Sequence, residues 1–245
     1  MSPRRSDPAI RPTLVDIAAR LLVTEGPKAL STRTIAAAAG SSTMAVYTHF
    51  GGMSGLVREI VHEGFARLQR SLIGVERTDD PVADLALMGR AYRRNAAANL
   101  HLYAIMFGGS TLAGFSLTEE DRQCGRYTLA TVVDCASRCM AAGRFRQGDP
   151  ELVAHQMWIA IHGLVSLELG GYLIEPNPAD RCFEAQLVGL MVGAGDSAGA
   201  AARSVALSRE RLAEAEPEDE PEGEPEIESM RRVVPFDRGT GPFDR

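Results

Sequence analysis

The stretch STRTIAAAAGSSTMAVYTHF, residues 31–50, constrains this chain more than any other. Ile35, Ala36 and Ala39 mark the apolar side of a short helix that must break at Gly40. Ser41-Ser42-Thr43 restart the chain, with Ser42 or Thr43 as N-cap, and a second short helix runs into Tyr47-Thr48-His49-Phe50. Two short helices joined by a glycine-containing turn make a helix-turn-helix. Such a pair buries one seam, here Ile35, Ala39, Val46 and Phe50, against a third helix. The other side of its second helix is left for a partner.

The remaining chain also reads as helix. Leu14, Ile17, Ala18, Leu21 and Leu22 recur at helical spacing over about 11–24, and Gly26-Pro27 ends that run. Ser31 caps the next helix. After Gly51-Gly52 a long helix covers about 54–73, with Leu56, Ile60, Phe65 and Leu68 inward. Asp79-Asp80-Pro81 opens a helix over 81–97, with acids at its positive end and proline in the first turn. Further helices are expected near 101–107, 118–142, 150–172 and 179–193. No alternating run is long enough for a sheet and no repeat appears, so the fold class is all-α with about nine helices. Three parts follow: a helix-turn-helix domain at 8–68, a larger helical domain at 80–195, and an acidic tail at 196–245. Residues 210–228 hold ten acids, one arginine and three prolines. They cannot bury enough apolar surface to offset their ordering entropy, so disorder is expected. The tail reads as solvated chain or as a competitor for a basic domain.

Charge divides the same way. The net charge of -6 hides an uneven split: residues 1–70 hold nine Lys+Arg against five Asp+Glu, and the rest 17 against 27. A basic end on an acidic body suits a protein that meets phosphate with one domain. Only Lys28 among 26 basic residues is lysine, which fits codon bias better than phosphate recognition. The expectation is also that no apolar run spans a bilayer, that MSPRRSDPAIRP is no signal peptide, and that the chain is cytoplasmic. Cys124, Cys135, Cys139 and Cys182 are too sparse for a disulfide scaffold and read as reduced thiols.

If the second helix of the motif enters a major groove, Ser42, Thr43, Met44, Ala45, Tyr47, Thr48 and His49 are its candidates for contact. Tyr47 and His49 carry hydrogen-bonding groups for phosphate oxygens. Thr43 and Thr48 suit base edges, and Met44 or Ala45 a thymine methyl. Thr32 and Arg33 stand at the N-terminus of the bracing helix, where free amides favour an anion.

These residues closely resemble the TetR family of bacterial transcriptional regulators. The resemblance is carried by Ala18 and Gly26, Ser31-Thr32-Arg33, Ile35-Ala36, Gly40, Val46-Tyr47 and His49-Phe50, over about residues 8–68. One departure is Met53, where family members commonly place a phosphate-touching lysine. The resemblance implies a homodimer, most often a repressor, whose paired recognition helices read a palindromic operator in double-stranded DNA. It also implies a small-molecule effector in the C-terminal domain and a dimer interface on the last two long helices. Leu152, Met157, Trp158, Ile161, Leu164, Val165, Leu169, Leu187, Val188, Met191 and Val192 supply apolar content there; a monomer core would use them equally.

The C-terminal half also resembles the TetR-like subgroup with a Trp-His-Gly signature, here Trp158, His162 and Gly163. Trp158 and His162 share a helix face. With Tyr92, His101, Tyr103, Met106, Phe107 and Phe115 they have the make-up of a small-molecule pocket, and equally that of a core. Cys135 and Cys139 lack partners at metal spacing, so no metal and no cofactor are expected. No catalytic constellation is visible and the chain does not read as an enzyme. The alternative is a small-molecule carrier or enzyme built on residues 80–195 with a vestigial DNA-binding head.

Overall fold

The motif's two short helices sit at one end of a helical chain, α2 at Thr32–Ala38 and α3 at Thr43–Phe50. A computed structural model describes residues 10–107, 118, 119, 123 and 125–215. Around the motif lie α1 (Ile10–Thr24), a 3-10 turn at Pro27–Ala29 and α4 (Met53–Ile73). The body holds α5 (Pro81–Ala98), α6 (Leu100–Met106), α7 (Arg126–Ala141), α8 (Pro150–Leu169), α9 (Ala179–Ala194) and α10 (Ala198–Ala215). Among the described residues there are ten α-helices and no strand. Phe115, Cys124 and the tail beyond Ala215 lie outside the described residues.

Local chemistry starts and stops these helices as the sequence requires. Ser31 Oγ accepts the Thr34 amide at 3.1 Å and opens α2. Gly40 and Gly51 take positive φ, +59° and +70°, so α2 and α3 can end abruptly. Asp80 Oδ1 accepts the amides of Val82 and Ala83, both at 3.1 Å, ahead of Pro81 in the first turn of α5. Asp149 does the same for α8 through the Glu151 amide.

The head packs Leu14, Val15, Ala18 and Leu22 of α1 against Ile35, Val46, Leu56 and Ile60. Arg67 on α4 joins head to body: it bonds Glu63 on its own helix, Asp16 on α1 at 2.8 Å and Asn99 between α5 and α6 at 2.8 Å. In the body, α5 is the axis. Its residues from Pro81 to Tyr92 are all buried, and α4, α7, α8, α9 and α10 pack around it.

Two expectations need correction. Residues 196–245 are not all acidic tail, because 198–215 form α10. Its buried Ala201, Ser204, Val205 and Ser208 lie against α5 and α9. Polar bonds fix it there. Arg90 on α5 reaches Ser208 Oγ at 2.8 Å and the Val205 carbonyl at 3.0 Å, and forks onto Glu184 of α9 at 2.6 and 2.9 Å. Asp84, fully buried, accepts from Thr78, Arg138 and Arg211, the last at 2.7 Å. Burial raises the proton affinity of Asp84, but the bonds from Thr78, Arg211 and Arg138 outweigh it and hold the carboxyl below its usual range. Second, one helix does reach membrane-spanning length: α8, over Pro150–Leu169, is long and apolar enough by composition. Here it packs Met157, Ile161, Leu164 and Val165 into the body.

Candidate nucleic-acid interface

Helix α3 has one fully buried side chain, Val46, with Ala45 and Phe50 half-buried against the core. Burying a valine contributes about 1.5–3 kcal/mol, enough to seat the helix without enclosing it. Its outer face is therefore open: Met44 is 65% exposed, Tyr47 53%, and Thr43 and Thr48 are exposed beside them. Ser42 holds the N-cap position but makes no capping bond with its side chain, so its exposed hydroxyl also faces outward chemistry. His49 is half-buried, with its ring 6.1 Å from that of Phe50. Arg33 is exposed and Thr32 half-exposed at the start of α2. Of the nine candidates, Thr32, Ala45 and His49 are partly buried, and Ala45 packs against the core.

The α3–α4 junction is tighter than the sequence reveals. A Cβ at Gly55 would stand 1.9 Å from the Phe50 carbonyl oxygen, so only glycine fits the first turn of α4 at this approach. Arg11 lies over the Phe50 ring at 5.6 Å and bonds Glu59 at 2.6 Å, fixing the end of α3 to α1 and α4. Met53, in place of the common lysine, is half-buried and packs against the core. It supplies a contact to the fold at that position.

The pocket candidates divide. Tyr92, Tyr103, Phe107, Trp158 and His162 meet in one cluster of α5, α6 and α8. Tyr103 Oη lies 2.8 Å and Tyr92 Oη 3.0 Å from His162 Nδ1, and the two hydroxyls are 3.3 Å apart. Phe107 stands 4.3 Å from the His162 ring between centroids and 6.1 Å from Trp158. Burial pushes the His162 imidazole down and the Tyr92 and Tyr103 phenols up, so all three are neutral near pH 7. Neutral hydroxyls beside a neutral imidazole offer donors and acceptors without fixed charge. Met106 turns the other way, onto α4: a Cβ at Gly64 would meet its Cγ at 2.5 Å. His101 lies half-buried near the start of α6. Gly163, the third residue of the Trp-His-Gly pattern, faces outward with no atom within 4 Å of a Cβ placed there. Its neighbours therefore point to the cluster while it points to the surface.

The residues quoted for a dimer interface split likewise. Met157, Ile161, Leu164, Val165, Leu187 and Met191 are buried within the protomer, whereas Leu152 and Val192 are exposed. Helical phase decides this, and it also turns Ile159 and Leu167 outward. Cys135 and Cys139 are buried, free thiols, and no group of metal-ligating side chains occurs among the described residues.

Two family profiles match the chain. Residues 14–60 match the bacterial regulatory proteins of the tetR family, and residues 85–190 the tetracyclin repressor-like C-terminal domain. Among curated proteins no match is significant. Solved structures share the fold. A protein of unknown function from Rhodococcus sp. RHA1 is 25% identical with a TM-score of 0.65, covering 80% of this chain and 100% of its own. The TetR family transcriptional regulator PfmR from Thermus thermophilus is 20% identical, with a TM-score of 0.58 and coverage of 75% and 99%. The fatty acid degradation regulator FadR from Bacillus halodurans is 15% identical, with a TM-score of 0.64 and coverage of 79% and 100%. The motif at 31–50, the helical body and both matched regions lead to one assignment: this chain belongs to the TetR family of DNA-binding transcriptional regulators.

Proposed function

We propose that this regulator is a cytoplasmic homodimeric repressor, released from a palindromic operator by a small uncharged effector. The carrying observation is the outer face of α3, where Thr43, Met44, Tyr47 and Thr48 are exposed on a helix seated by Val46. Surface side chains that the fold does not use are free to meet base edges and phosphates. Ser42 and His49 flank that face, Ala45 offers part of its methyl, and Thr32 and Arg33 stand where α2 crosses the backbone. The exposed Leu152, Ile159 and Leu167 on α8 support a second copy as partner. The domain limits follow: head at 8–68, body from 80 extended through α10.

The effector site in this reading is the neutral cluster around His162, Tyr92 and Tyr103, walled by Phe107 and Trp158. Helix α6 carries Tyr103, with Phe107 just past its end, toward the cluster, and Leu102 and Met106 toward Gly64 of α4. An occupant that displaces α6 therefore presses on the helix that holds the head. Two α3 helices must stand about 34 Å apart to read successive major grooves. An effector that favours another spacing weakens operator binding by its differential affinity for the two arrangements.

Footprinting of the DNA upstream of its own gene tests this. The expected result is two protected half-sites related by a two-fold axis, one helical turn apart. Arg33→Ala should reduce the salt slope of binding, since each lost phosphate contact removes about 0.9 from it. Thr43→Ala should change base preference more than the slope. A footprint with no symmetry, or identical effects from the two substitutions, contradicts the reading.

A further inference from the structure

Ala185, Val188 and Gly189 of α9 form one wall of an open groove, and Ala202, Val205 and Ala206 of α10 form the other. The groove encloses about 560 Å³, and Glu184 and Arg209, of opposite charge, stand at it. One of its walls is an addition to the family domain, because α10 begins at Ala198 and the matched C-terminal region ends at residue 190. Helix α9 also packs against α8, whose Leu152, Ile159 and Leu167 are 57%, 63% and 48% exposed. A hollow lined by small side chains and a row of large exposed ones therefore lie on helices that pack in sequence within one protomer.

We propose that the α9–α10 groove receives apolar side chains of a second copy of this chain, making α10 a third helix of the dimer interface. The inference rests on the dimer reading above and adds the element and the surface. Two arguments favour a second copy as the occupant. A two-fold interface is self-complementary, so the interface helices must carry both a projecting and a receiving shape, and α8, α9 and α10 between them carry both. Size points the same way. At 1.5 Å per residue, α8 and α9 are about 30 and 24 Å long, and with about 10 Å of width each they offer roughly 540 Å². Adding α10, about 27 Å long, brings the footprint to roughly 800 Å², the share each partner contributes to a stable interface.

The test is sedimentation velocity of the full chain over a dilution series, with two variants. Ala202→Arg puts a long charged side chain on the exposed α10 wall, and Ile159→Arg does so on the α8 ridge. Both should raise the dimer dissociation constant at least about 30-fold, the effect of losing one interface hot spot. If Ile159→Arg dissociates the dimer and Ala202→Arg does not, the groove is no part of the interface and the inference fails while the dimer stands. If the parent chain sediments as a monomer throughout, the dimer reading itself fails. A chain cut after Ala215 should dimerise as the parent does; a groove filled by residues 216–245 would instead leave Ala202→Arg dimeric. Should Ala202→Arg unfold, Ala202→Cys serves: its maleimide labelling, above the parent's background, should be slow in the dimer and fast on dilution. Equal rates at both concentrations overturn the inference.

Discussion

Helices α3 and α5 use their polar side chains in opposite ways. Helix α5 is buried along most of its length, and its charges are consumed by the fold: Asp84 gathers Thr78, Arg138 and Arg211, while Arg90 gathers Glu184, Ser208 and the Val205 carbonyl. Helix α3 buries Val46 alone and leaves Thr43, Tyr47 and Thr48 exposed. A polar group that the fold has paired holds helices together. One that it has left on an ordered, outward helix is available to DNA. Damage to α5 should therefore appear in stability, and damage to α3 in binding.

The largest effect should come from Asp84→Ala. It strands the Arg138 and Arg211 guanidiniums in a partly buried site and should cost about 3–5 kcal/mol, read as a lower urea midpoint. Operator affinity per folded molecule should not change; a loss under about 1 kcal/mol would erase the contrast with α3. Gly55→Ala comes next. Its methyl meets the Phe50 carbonyl, so the backbone between α3 and α4 must move. Overpacking of this kind costs about 1–3 kcal/mol, and operator binding should fall further than stability because α3 is displaced. Tyr47→Ala reverses the pattern: stability should stay within about 0.5 kcal/mol. Operator affinity should drop about tenfold, the worth of a hydrogen bond to a charged group.

The smallest effect concerns pH. Burial lowers the His162 pKa below its ordinary 6.5, so the unfolded chain binds a proton there before the folded one does. Stability should therefore decline as pH falls from about 6.5 through the folded value, and His162→Phe should flatten that slope. A slope that survives the substitution belongs to another group.

The head was legible because its instructions are local. Gly40, the Ser31 cap and the apolar residues that seat α2 and α3 lie within 20 residues of sequence. The body was legible in its helix starts, where Asp80-Pro81 and Asp149-Pro150 act within one turn. Helix α10 was not. Its Ala-rich, charged segment looks like the tail that follows it, and its partners Asp84 and Arg90 lie more than 100 residues away. Pocket and interface residues on α8 failed to sort for a related reason. Composition shows that Met157 and Ile159 are apolar, and only packing against α5 shows which of them turns outward. Gly55 carried no signal either, since its close contact depends on how α3 meets α4.

In the proposed function α3 is the reader of DNA sequence. The direct measurement is the ratio of affinities for operator and scrambled duplex at one salt concentration, for the parent chain and for a variant with Thr43, Tyr47 and Thr48 all changed to alanine. The parent should prefer its operator by about 10³-fold or more. The variant should keep its urea midpoint and bind both duplexes almost equally. A variant that retains the parent's ratio would place sequence reading elsewhere on the molecule and contradict the account.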